Sequence, residues 1–185
     1  MEYVEYISKL CILAGRYSKS KVAYSSSNGQ GVNVVMTLER LADGLRKSLE
    51  LNKKTTFSVL VSKGQGNVPK IFWVSILPAG RGPSNAASVS ICFGKNGEGI
   101  IAGLMVPKVG GLHMLVQKER VKTEILVDVD GDKEGTKYNN CFINPKEWLV
   151  DNLNATEIQN HLLSSIELLA KLINDGQAGY AYFKP

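Results

Sequence analysis

With 185 residues, 44% hydrophobic and 21% charged, the chain has the size and composition of one folded domain rather than of a disordered segment. It also lacks the run of roughly 18 apolar residues that a membrane span needs. The net charge of +5 is unevenly spread: residues 1–125 hold 17 Lys and Arg against 8 Asp and Glu, a balance of +9, while residues 126–185 hold 5 against 9, a balance of −4, so the basic body can neutralise phosphates, although an ordinary solvated surface would read the same way.

The opening stretch MEYVEYISKL places two glutamates where a secretory signal carries positive charge, so a cytoplasmic location is expected. Val4, Ile7, Leu10, Cys11 and Ala14 recur at helical spacing and predict an amphipathic helix from Glu2 to about Lys19. Residues 19–31, KSKVAYSSSNGQG, read as a loop from which Lys19, Lys21 and Tyr24 can reach a ligand. A second helix is predicted from about Val34 to Leu49, with Leu38, Leu41 and Leu45 on one side and Arg40, Asp43, Arg46 and Lys47 on the other.

From Thr55 the hydrophobic period shortens to two. TTFSVLV predicts a strand, and the nearly unbroken IFWVSIL, Ile71–Leu77, predicts a strand inside a sheet. Pro78–Asn85 reads as a loop, Ser88–Phe93 alternates, GKNGEG is a turn and Ile100–Val106 is a further strand. His113–Val116 reads as a short strand or helix start, and Val121–Val129 as extended and aliphatic. A C-terminal helix from about Ala155 to Ile173 carries the stripe Ile158, Leu162, Ile166, Leu169 and Ile173, and Asn154 with Glu157 resembles a capping box at its start. The order of elements predicts an α+β domain, its largely antiparallel or mixed sheet flanked by helices.

Signatures of catalysis are missing: no GxxxxGK[ST] phosphate loop, no HExxH, no nucleophile elbow and no paired-cysteine zinc pattern occur. Cys11, Cys92 and Cys141 are odd in number and far apart, which predicts free, mostly buried thiols. DVDGDKEGTKYNN alternates acids like a calcium loop, but Gly131 is misplaced for the central glycine and no closing glutamate aligns. Asp128 to Lys133 imitates a nuclease metal motif only in a predicted solvated turn. A domain with neither catalysis nor cofactor is expected.

GQGNVPKIFWVSIL, Gly64–Leu77, carries the most information. Gly64 and Gly66 allow a sharp backbone bend that pushes Gln65 outward, and a glutamine can make two hydrogen bonds to a base edge or fill the gap left by a displaced base. The strand that follows carries Trp73. A tight hairpin with a core tryptophan is the structural alternative.

Gly64, Gln65, Gly66 and Asn67, followed by a short spacer and the Trp73 strand, resemble the glycine, aromatic, glycine, asparagine loop of the N-terminal DNA-binding domain of the McrB family. The similarity runs over residues 34–106, more weakly through LPAG, ASVSICFG and GIIAGLMV. It implies that Gln65 wedges into the duplex from the minor-groove side and that Trp73, with Ser88 and Cys92 near the family's other pocket positions, walls a pocket for a flipped modified cytosine. Ser88 and Cys92 are small where the family carries a tyrosine and a leucine, which implies a roomier pocket or reading of unmodified DNA without flipping. Relatives with a B3-like pseudo-barrel keep that architecture open as an alternative.

On this resemblance the chain, residues 1–185, is one DNA-binding domain with a helical part at 1–54, a sheet with recognition loops at 55–130 and a helical part at 131–185. It would open a longer protein with a GTPase motor and work with a McrC-like nuclease subunit. Lys19, Lys21, Lys63, Lys70, Arg81 and Lys95 would contact phosphates, while Gln65, Asn67, Tyr24 and Asn85 would discriminate. A protein-interaction adaptor, using the acidic C-terminal region, is the reading outside DNA recognition.

Overall fold

A computed structural model of the chain describes residues 3–27, 29–51, 56–82, 86–106, 124–130 and 138–174. Among these residues three helices, α1 (Tyr3–Lys19), α2 (Gly29–Ser48) and α3 (Ala155–Asn174), accompany five strands, β1 (Phe57–Val61), β2 (Trp73–Pro78), β3 (Ser88–Phe93), β4 (Gly99–Met105) and β5 (Lys146–Leu149). The strands lie in sequence order, and every neighbouring pair is antiparallel. The result is an α+β domain with an open antiparallel sheet. Among the described residues β1 and β5 are edges and do not meet, so the pseudo-barrel alternative is corrected: a barrel needs those edges closed.

Strand alternation sorts the side chains into two faces. Val59, Val74, Ile76, Val89, Ile91, Phe93, Ile100, Ala102, Leu104 and Trp148 face the buried stripes of all three helices and form the main core. The other face packs Cys92 and Ile101 against Val127, Val129 and Phe142, with Trp73 alongside. It also carries a row of buried hydroxyls, where Ser75 Oγ meets Ser90 Oγ at 2.7 Å and Ser88 Oγ meets Ser90 Oγ at 2.9 Å. These contacts satisfy the hydroxyls beside an apolar layer.

Several boundaries differ from the sequence reading for identifiable reasons. α2 begins at Gly29, five residues before the expected start. Within its first turn Gly31 serves close approach: a Cβ there would lie 1.7 Å from the Ser25 carbonyl oxygen. β5 was not foreseen, because KEWL is short and charged and buries only Trp148. This strand also falls within the stretch expected to be helical.

Glu124–Asp130 forms bends rather than a strand. Its amides are taken by side chains instead of a ladder: Leu126 N–H donates to Glu147 Oε2 at 3.0 Å, Asp128 N–H to Glu98 Oε1 at 2.7 Å and Val129 N–H to Asn139 Oδ1 at 2.9 Å. The Asp130 carboxylate accepts the amides of Tyr138 and Asn139. The expected element at His113–Val116 lies outside the described residues. At the start of α3, Asn154 Oδ1 accepts the Glu157 amide at 3.1 Å, the N-cap arrangement expected from sequence. The Glu157 carboxylate turns away to Lys146 Nζ at 3.0 Å and Trp148 Nε1 at 3.4 Å. No helix among the described residues is long and apolar enough to cross a membrane.

Candidate nucleic-acid interface

Antiparallel order places the β1–β2 loop and the β3–β4 turn at one end of the sheet and the β2–β3 loop at the other. The β1–β2 loop, residues 62–72, turns on two glycines with left-handed backbone, Gly64 at φ 72° and Gly66 at φ 87°. A Cβ on Gly64 would lie 1.9 Å from the Asn67 carbonyl oxygen. Only glycine closes so tight a bend, and closing it leaves Gln65, Gly66 and Asn67 exposed at the tip.

This tip is joined to the loop between α1 and α2. Ser26 N–H and Ser26 Oγ both donate to the Gly66 carbonyl, at 2.9 and 3.0 Å, and Val68 N–H donates to the Tyr24 carbonyl at 2.8 Å. Ser25 and Asn67 form an antiparallel bridge. Beneath them, buried Tyr17 donates its hydroxyl to the Val68 carbonyl at 2.7 Å. The Tyr17 ring stacks on Tyr24 at a centroid distance of 4.4 Å and an interplanar angle of 23°, and lies 6.0 Å from the Phe72 ring. The two loops singled out separately in the sequence are therefore one braced unit.

The charged and polar candidates divide accordingly. Lys19, Lys21 and Lys70 are exposed on the segments that form this end. Lys63 is exposed there too, but its Nζ is 2.6 Å from Glu39 Oε1. Lys95 sits in the β3–β4 turn, with its amide donating to the Asp128 carbonyl at 2.8 Å. Arg81 follows β2 at the opposite end of the sheet and does not join the group. Tyr24 is half-buried, its ring committed to Tyr17, so it supports the tip rather than extending from it. Asn85 lies outside the described residues. The first turn of α2, beside the braced loops, contains no acidic residue, so the positive end of the helix dipole there favours an anion.

A groove of about 790 Å³ runs from the tip along β1. Gly64, Gln65, Lys63 and Trp73 line it, as do Leu60, Ser62 and Pro69. The wall opposite β1 is a stripe of α2 formed by Glu39, Ala42, Asp43 and Arg46. Trp73 is half-buried and shares the groove with Gln65. Ser88 and Cys92 do not line it: each has 0% of its surface exposed. Ser88 is bonded to Ser90, while Cys92 is paired across the sheet with Trp73, and burial pushes its thiol pKa up. The expectation that these two residues wall an open base pocket is corrected by that packing.

Sequence reading missed the α2 wall. Its signal was the spacing of Glu39, Ala42, Asp43 and Arg46 by three, one and three, which puts them on one helical stripe. Comparisons with known protein families, with curated proteins and with solved structures find no match to this chain.

Proposed function

We propose that this domain recognises double-stranded DNA by presenting Gln65 and Asn67 from the braced tip to a groove of the duplex. In this reading it is the targeting part of a McrB-like restriction system, does no chemistry itself, and acts with a GTP-driven motor and a McrC-like nuclease subunit. The observation that carries the proposal is the brace. A side chain that reads a base edge must be held by a scaffold that does not yield, and the exposed tip is bonded to a second loop over a Tyr17, Tyr24 and Phe72 stack. Lys19, Lys21 and Lys70, with the first turn of α2, supply the phosphate contacts around it.

A second form of the proposal has a modified cytosine leave the duplex and rest in the groove, and the presence of Trp73 beside Gln65 there favours it.

The test is a binding comparison of duplexes carrying unmodified cytosine, 5-methylcytosine, 5-hydroxymethylcytosine, N4-methylcytosine and N6-methyladenine. Three lysine contacts predict that log K falls against log salt with a slope of about −3; a flat response overturns DNA binding. Gln65→Ala is expected to reduce discrimination between preferred and other duplexes by about tenfold while weakening non-preferred duplexes little. Equal loss on every duplex means Gln65 is no reader. A 2-aminopurine placed at the target brightens only if the base is extruded, which separates the two forms.

A further inference from the structure

Among the described residues β1 is an edge strand, and in an antiparallel ladder alternate residues direct both backbone polar groups away from the neighbouring strand. The loop bonds fix which residues these are. Ala79 N–H donates to the Thr56 carbonyl at 2.9 Å and Ser62 N–H to the Trp73 carbonyl at 3.0 Å. Thr56, Ser58, Leu60 and Ser62 therefore face β2, while Phe57, Val59 and Val61 turn their amides and carbonyls outward. Among the described residues, the side chain that reaches this outward row is that of Arg46, whose Nη2 donates to the Val59 carbonyl at 2.9 Å.

The row opens into the groove walled by α2. At the centre of that wall Ala42 leaves room. Around it the charges pair off, Glu39 with Lys63 and Asp43 with Arg46, so the groove carries two carboxylates against two cations and no net charge. A polyanion gains nothing from such a surface. An extended peptide backbone matches it, because its own alternating amides and carbonyls complete the ladder without introducing charge.

We infer that the groove between β1 and α2 binds an extended peptide of a partner protein, added to the sheet as a sixth strand beside β1. The segment carries apolar side chains at alternate positions. Those on the side of Leu60, which is 40% exposed, and Trp73 are apolar; those between them point to the charged stripe of α2 and are polar. A second copy of this chain fits less well. α2 overhangs the edge far enough for Arg46 to cap it, and two copies joined through β1 about a two-fold axis normal to the sheet would bring two such helices together on the same face. The peptide displaces the Arg46 guanidinium from Val59. This inference does not rest on DNA recognition at the tip, and it competes for the groove only with the second form of that reading, in which an extruded base rests beside Trp73.

Synthetic heptapeptides chosen from a random displayed library against the intact 185-residue chain provide the probe. On binding, the Val59 and Val61 amides are expected to exchange hydrogen at least tenfold more slowly, with Ser58 and Leu60 unchanged. N-methylation along the peptide is expected to weaken binding about tenfold at every second position and little at those between. Arg46→Ala, which releases the Val59 carbonyl, is expected to tighten binding about three- to tenfold. Failure to recover a peptide, an N-methyl effect without period two, or protection confined to other amides overturns the proposal. Concentration-dependent protection of Val59 and Val61 in the chain alone also overturns it, in favour of a second copy.

Discussion

His161 shows how a single ring ties helix to sheet. Its Nε2 lies 3.1 Å from the Ala102 carbonyl oxygen, and its ring meets Trp148 edge-on at 5.6 Å. Burial, the largest cause, holds its pKa below the ordinary value, and Lys146 adds to the effect while backbone contacts at Ala102 and Asn144 oppose it. The unfolded chain therefore takes up this proton first. The resulting stabilisation is complete above the unfolded value of about 6.5 and is lost as pH falls from there through the folded pKa. Glu157 is also held low, by Lys146 and Trp148, but its acid loss falls below its ordinary value of 4.5. Between about pH 6.5 and 5 the melting temperature is expected to decline in the native chain and to decline less in His161→Gln. Identical slopes in the two proteins would place the titration elsewhere.

The β1–β2 loop is the element on which the candidate interface depends, and its two glycines make separable contributions. Gly64→Ala meets both a left-handed backbone and the Asn67 carbonyl, so a loss of about 2–3 kcal/mol is expected from strain and overlap together. Gly66→Ala meets the backbone cost alone, since nothing lies within 4 Å of its added Cβ, and about 1 kcal/mol is expected. Urea midpoints measure both; equal effects would contradict the bend as described. This loop was legible in the sequence because paired glycines announce a bend by themselves, as alternation announced β3 and the Asn154 cap announced α3. What was not legible depended on distant partners. Tyr24 looked like a reader until Tyr17 took its ring, and Ser88 and Cys92 gave no sign in sequence that their strand would lie wholly buried. Arg46, on the polar side of a helix, bonds to a strand that sequence spacing alone cannot locate.

At the scale of the whole molecule, α1, α2 and α3 pack one face of the sheet and Val127, Val129 and Phe142 pack the other, which leaves the thiols deep in packed layers. Cys11, Cys92 and Cys141 are free and buried, as expected from their number and spacing. Burial, with Glu98 adding to it, pushes the Cys11 thiol up to about 12, so little thiolate is present at neutral pH. Iodoacetamide is expected to leave all three unmodified in the native chain and to label all three in denaturant; rapid native labelling of any one would reveal local opening that this packing does not provide. The tip of the molecule behaves differently from its interior. Its attachment to the neighbouring loop runs largely through main-chain groups, Ser26 to Gly66 and Val68 to Tyr24, and such fastenings are blind to the identity of the side chains they carry. Substitutions at positions 65 and 67 therefore leave that mount intact, so the tip can carry other side chains without refolding the loops beneath it.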